Sequence, residues 1–198
     1  MEIIKKVFRE KFVDYLIQAL FIFLSVFLAF WLNQYQAIYK EAYMTTRAEL
    51  AILKEMKNNL FILEILHENR LPLVLGEKET LDQLETYKAF SQYKLVGQEK
   101  GFMRTVLSKS ALSLINANNV NIDISRRQQL NKVYEHQQVY TNAERKLFDD
   151  FLNSFEVKDP ENTRASYSIF YRLLGDIWSK EVTLINSLKE AIAKLEEG

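Results

Sequence analysis

One unbroken apolar run, Ala19 to Leu32, limits this chain more than any other stretch: fourteen residues with Ser25 as the single polar insert. A run of that kind suits a bilayer span, the middle of a signal peptide, or a buried core helix. Carried back through Gln18, Ile17 and Leu16 to Tyr15 it becomes eighteen residues. That is roughly 27 Å of helix at 1.5 Å per residue, against a hydrocarbon core of about 30 Å. Tyr15 lies at one end and Trp31 and Tyr35 at the other, where amphipathic rings favour the headgroup level. Signal-peptide cleavage needs a pair of small residues after the run. Phe30, Trp31, Leu32, Asn33, Gln34 and Tyr35 supply none, and Ala37 has Tyr35 two positions before it. The run is expected to be an uncleaved membrane anchor.

Lys5, Lys6, Arg9 and Lys11 precede the run, against Lys40 and Arg47 just after it. The excess of positive charge before the span places the N-terminus in the cytoplasm and the rest of the chain outside. In a Gram-negative cell this means an inner-membrane protein with a periplasmic domain. The expected division is a basic cytoplasmic segment over residues 1–11, a transmembrane helix over 12–34, and a helical ectodomain over 35–198. Gln18, Ser25 and Ala29 are spaced by seven and four, with Asp14 one turn before Gln18, so all four share a helix face. Small and amide side chains in a span favour close helix–helix contact. Asp14, Gln18, Ser25 and Ala29 are therefore the candidate interface for self-association.

Five Gly and two Pro among 198 residues leave few turn signals, and the chain is expected to be all-α. From Asn33 a helix continues unbroken to Leu71-Pro72. Tyr39, Tyr43, Thr46, Leu50, Leu53, Leu60 and Leu63 form its apolar stripe, with Lys54, Glu55, Lys57 and Asn58 off it. A second helix is expected over 77–92, with Leu81, Leu84 and Tyr87 inward, and then a turn between Gly97 and Gly101. A third is expected over 102–116, with Met103, Leu107, Ala111 and Leu114 inward. Ser125 and Gln128 have capping-box spacing. They would open a long helix to about Phe155, with Leu130, Val133, Tyr134, Tyr140, Leu147, Phe151 and Phe155 inward. Asp159 and Pro160 would start the last helix as cap and first residue. Phe170, Leu174, Ile177, Leu184, Leu188, Ala191 and Leu195 line that helix, interrupted by Glu181. The expected architecture is one transmembrane helix running on into an antiparallel extracytoplasmic helical bundle.

With these elements in place, the N-terminal stretch resembles a family of small inner-membrane proteins from one phylum of Gram-negative bacteria that share a domain of unknown function. Their pattern is a basic segment, Tyr-Leu, an acidic residue, an apolar run, and an Asn-Asn-Trp-Asn-like exit. Tyr15-Leu16, the run through Leu28-Ala29, and Asn33-Gln34-Tyr35-Gln36 occupy those places here. Ser110 to Asn119, before the helix that holds VYEHQQVY, is similar to a second family region. Gln18 stands where the family has an acid, Ser25 where it has Gly, and Tyr35 where it has Trp, so an ionisable role of that acid does not carry over. The resemblance implies topology and no activity.

Catalytic patterns are sparse. Glu64 and His67 form an E-x-x-H, half of a di-iron bundle motif that needs a second copy and two further Glu. His136 has Val133 three positions earlier, so a surface or packed His67 is the better reading, and no metal or cofactor is expected. Gly97 and Gly101 lack P-loop spacing, and neither H-E-x-x-H nor G-x-S-x-G occurs. Asp149-Asp150 and Glu196-Glu197 are adjacent pairs that point to different helix faces. Lys+Arg and Asp+Glu both number 26, and Arg126-Arg127 and Arg145-Lys146 are isolated pairs, so no nucleic-acid surface is expected. The absence of Cys excludes thiol catalysis and disulfides. The chain is expected not to be an enzyme. It reads as a structural or interaction protein, set in the lipid bilayer, forming a homo-oligomer and presenting its ectodomain to a membrane or periplasmic protein. The alternative is a sensory or small-ligand-binding helical module. With about eleven residues before the span, such a module would need a partner to carry its signal.

Overall fold

The computed structural model describes the backbone of residues 2–82, 90, 104, 106–116, 120–154 and 159–197, with side chains described at residue 12 and from residue 15 on within those ranges, Thr80 and Pro160 excepted. Its helices are α1 (Glu2–Leu75), α2 (Glu77–Asp82), α3 (Leu112–Ile115), α4 (Ile124–Arg145) and α5 (Thr163–Glu196). A π-helical turn covers Lys146–Phe151 and a 3-10 turn Pro160–Asn162. No strand occurs among the described residues. The chain is all-helical with one long apolar N-terminal helix, as its pattern predicts.

α1 is 74 residues long, about 110 Å at 1.5 Å per residue. Residues 15–43 are exposed on every face. From Ala48 one face enters the core through Ile52, Met56, Leu63, Leu66 and Leu73, and Glu55, Asn59 and Arg70 lie buried on that same face. This corrects the expected stripe. Leu63 is buried, Leu53 and Leu60 are half-buried, and Tyr39, Tyr43, Thr46 and Leu50 are exposed. Three polar residues at core positions interrupt the apolar pattern on the true face, so an apolar count selects the face opposite. Glu55, expected outside, is inside for the same reason.

α1 also outlasts Pro72 by one turn. Proline removes one helical donor, but Leu73 is buried beyond it, and the Gly76 N–H closes the end on the Pro72 carbonyl at 3.0 Å. A Cβ at Gly76 would lie 3.1 Å from that oxygen, a tight contact that glycine avoids. Of the expected second helix, Glu77–Asp82 is helical with Leu81 half-buried. Leu84, Tyr87, Gly97, Gly101 and Met103 lie outside the described residues, as does Phe155.

Of the expected third helix, Leu112–Ile115 is helical. Leu107 and Ala111 are buried as expected and Leu114 is half-buried, but residues 106–109 are not helical. The competing interaction is Asn59 of α1. Its side chain accepts from the Ser108 N–H at 3.0 Å and donates to the Ser108 carbonyl at 2.7 Å. Both backbone groups of Ser108 are thereby satisfied without a helix.

α4 buries Leu130, Val133, Tyr134, Tyr140, Leu147 and Phe151 as their spacing predicts, the last two through the π turn. Its N-cap is Asp123 rather than Ser125, with a carboxylate accepting from the N–H groups of Ser125 and Arg126. Asp159 does cap the last segment, accepting from the Glu161 N–H at 3.0 Å, although the first turn is 3-10. α5 buries Phe170, Leu174, Ile177, Leu184, Leu188 and Ala191, with Leu195 half-buried. Cross-helix pairs order the packing. Glu49–Arg126, Glu55–Tyr134 and Arg70–Tyr140 rise together along α1 and α4. Lys57–Glu196, Glu64–Lys189 and Arg70–Glu181 rise along α1 and fall along α5.

The cap assignment is testable by urea unfolding of the chain. Asp123→Ala should cost about 1 kcal/mol, while Ser125→Ala should stay within about 0.5 kcal/mol of wild type, as ordinary surface changes do. Equal losses would restore Ser125 as the cap.

Candidate functional site

Two of the three polar residues buried on α1, Arg70 and Glu55, organise two networks inside the body. The first lies where α1, α4 and α5 meet. The Arg70 guanidinium, 3% exposed, donates to Glu144 at 2.6 Å, to the Tyr140 hydroxyl at 3.0 Å, and to Glu181. Tyr140 donates to Glu144 at 2.7 Å. His67, one turn before Arg70, brings Nδ1 to 3.3 Å from Glu181 and stacks its ring on Trp178 at 4.8 Å between centroids. Burial alone would lower the Arg70 pKa. The Tyr140 oxygen and the Glu181 and Glu144 carboxylates more than offset this and hold it above the ordinary range. Burial pushes the Glu181 carboxyl up, with Arg70 and His67 opposing. Removing the cation alone would leave two buried carboxylates facing each other, a loss on the order of 3–5 kcal/mol.

The second network has no cation. Glu55 accepts from the Ser108 and Ser110 hydroxyls at 2.7 Å each, from the Ala111 N–H at 3.0 Å, and from the Tyr134 hydroxyl at 2.7 Å. Burial works to raise its pKa, but hydrogen bonds from Ser110, Ser108, Tyr134 and Ala111 outweigh it and hold the carboxyl below its usual value. Four neutral donors satisfy one buried charge. Three of these bonds converge on Oε2 and one on Oε1, so the carboxylate ties the segment before α3 and α4 to α1.

Between the networks a cavity of about 120 Å³ is lined by Arg104, Lys109, Tyr134, Gln137 and Glu144 among others. It has room for about four waters at 30 Å³ each, well below the 300 Å³ at which metabolite pockets begin. Arg104 is paired with Asp149 at 2.6 Å and Lys109 with Gln138 at 3.3 Å. The E-x-x-H residues separate: Glu64 pairs with Lys189 at 2.8 Å, and His67 turns to Glu181. Among the described residues no three His, Asp or Glu side chains are grouped to hold a metal ion.

The candidate interface residues sit on the exposed part of α1. Gln18, Ser25 and Ala29 are all exposed on one unbroken helix, and the Ser25 hydroxyl donates to the Phe21 carbonyl at 2.7 Å. The side chain of Asp14 lies outside those described. Around the three, Phe21, Phe23, Phe27 and Phe30 project outward, 59–71% exposed. Among the described residues this helix alone is long and apolar enough to cross a membrane, and none of its most apolar window is buried in the protein. A buried core helix would have shown the reverse.

The two networks escaped sequence reasoning, although each left a trace. Glu181 stands in an otherwise apolar heptad series, and Glu55, Asn59 and Arg70 occur at spacings of four and eleven, which place them on one helix face. No protein-family model, curated protein or solved structure matches the chain.

Glu55 makes stability depend on pH in a defined direction. A carboxyl with a lowered folded pKa contributes fully above its unfolded value of about 4.3, and that contribution is lost as pH falls through the folded value. Glu55→Gln should melt lower than wild type at pH 7 and lose less melting temperature between about pH 6 and pH 3.5. Parallel melting curves across that range would refute the assignment.

Proposed function

We propose that the chain is a single-pass inner-membrane protein whose function is structural: it self-associates through its apolar helix and holds a helical body to a partner protein. The exposed apolar length of α1, continuous with the body, is the observation that carries this reading. Large apolar side chains on every face of residues 15–32 are favourable in lipid and costly in water. The basic residues before the run support a cytoplasmic N-terminus, with the body in the periplasm. There α1, α4 and α5 form an antiparallel bundle, α5 running against the other two. The resemblance to the small inner-membrane family points to the same topology.

The body supports an interaction role rather than catalysis. Its buried ionisable groups are engaged with neighbouring side chains, and the cavity between its two networks is small. Gln18, Ser25 and Ala29, with Asp14, form the proposed contact between spans, where small side chains allow close approach and amides bond across helices.

Carbonate washing of membranes tests the anchor. Wild type should remain in the pellet. Phe23→Arg with Phe27→Arg should release or abolish the chain, since each arginine costs about 2.5–3.5 kcal/mol at a span centre. Wild type in the supernatant would overturn the anchor. Alkaline phosphatase fused after Gly198 should be active, and an inactive fusion would reverse the orientation.

A further inference from the structure

Past the apolar run α1 still displays large apolar side chains: Tyr39, Tyr43 and Leu50 are 69%, 58% and 62% exposed. With Thr46 and Leu53 they are spaced by alternating steps of four and three, the repeat of a coiled-coil seam. Continued toward the N-terminus, the same alternation meets Gln36, Leu32, Ala29, Ser25, Ile22 and Gln18 in turn. The candidate contact within the apolar run and the exposed residues beyond it are one line. On a lone helix of 3.6 residues per turn this line drifts by about 20° per heptad. It stays on one side only where two helices supercoil.

The line is also placed to be free. Thr46 and Leu50 each lie two positions before a residue buried in the body, namely Ala48 and Ile52, and the free line ends at Leu53, which is half-buried against the core. Two positions are about 200° of helical rotation, so body and line occupy opposite sides of α1. The line closes where the body reaches around. Its next members include Lys57 and Glu64, which pair with Glu196 and Lys189 of α5.

We propose that a second copy of this chain docks on this line, α1 against α1, as a parallel coiled coil from Gln18 to Leu50. The proposal rests on the reading of the apolar run as an anchor and extends its contact about 25 Å beyond the lipid, roughly seventeen residues at 1.5 Å each. A second copy is the occupant that fits. Two chains anchored alike present every seam residue at the same height, and a 4-3 repeat is met by a helix carrying the same repeat. Ser25 enters the contact with its hydroxyl already bonded to Phe21. Gln18, exposed on α1, meets its own counterpart. Tyr39, Tyr43 and Leu50 lose their exposure to water.

The chain has no Cys, so single cysteines report without background. Tyr39→Cys and Thr46→Cys lie on the seam, Ser25→Cys lies on it within the apolar run, and Glu41→Cys is exposed off it. Each full-length variant is oxidised with copper-phenanthroline in native membranes. Seam positions should form disulfide-linked dimers on the order of ten-fold faster than Glu41→Cys, because a disulfide needs Cα atoms within about 7 Å. No dimer at residues 39 and 46, or equal rates at residue 41, overturns the coiled coil. Dimers at Ser25→Cys alone leave association through the span standing and refute its extension. Dimers at 39 and 46 without Ser25→Cys support the extension and refute contact between the spans. A wild-type chain that washes from the membrane in carbonate sinks the anchor reading instead.

Discussion

The body depends on Arg70. Its guanidinium touches a carboxylate from α4 and another from α5 while sitting on α1, so one side chain fixes three helices that are far apart in sequence. Water is largely excluded, with Glu144 and Glu181 at 2% and 0% side-chain exposure. Apolar packing alone would tolerate a helix sliding by one turn, because leucines and isoleucines substitute for one another across a seam. A buried guanidinium between two carboxylates does not, since one turn of slip would leave charges unpaired in a medium that cannot solvate them. Glu55 does the same further along α1, where its four donors come from α4 and from the segment before α3.

These networks also set the rotation of α1. Glu55, Asn59 and Arg70 can each reach their partners from one face of the helix, so the opposite face has to turn outward. Tyr39, Tyr43 and Leu50 are on that outward face. Polar chemistry inside the body thereby selects what α1 displays beyond it. In the proposed assembly, docking of a second copy and packing of the body use opposite sides of one rigid helix and need not compete.

Legibility in the sequence followed the chemistry of each seam. α5 was readable almost residue by residue, because Phe170, Leu174, Ile177, Leu184 and Leu188 carry an apolar repeat with one exception. That exception, Glu181, turned out to be the partner of Arg70. α4 was readable for its apolar members and silent about Gln137 and Glu144, whose burial depends on partners elsewhere in the chain. The body face of α1 was misread because Glu55, Asn59 and Arg70 look like surface residues until their partners are known. The segment at 106–109 was misread as helix because Asn59, nearly fifty residues away, supplies the hydrogen bonds that a helix would otherwise provide. Local periodicity carries apolar contacts well and long-range polar pairing not at all.

The central claim is that one continuous helix joins a lipid-embedded half to a body-embedded half. A nitroxide scan along α1 in lipid vesicles measures this directly, by comparing collision with oxygen, which partitions into lipid, and with a water-soluble nickel chelate. The account predicts oxygen-dominated labels at Phe23 and Phe27, a switch to nickel access from about Asn33 and Gln34 on, and protection from both at Ile52 and Met56. Nickel access at Phe23 and Phe27 equal to that at Lys40 would contradict it.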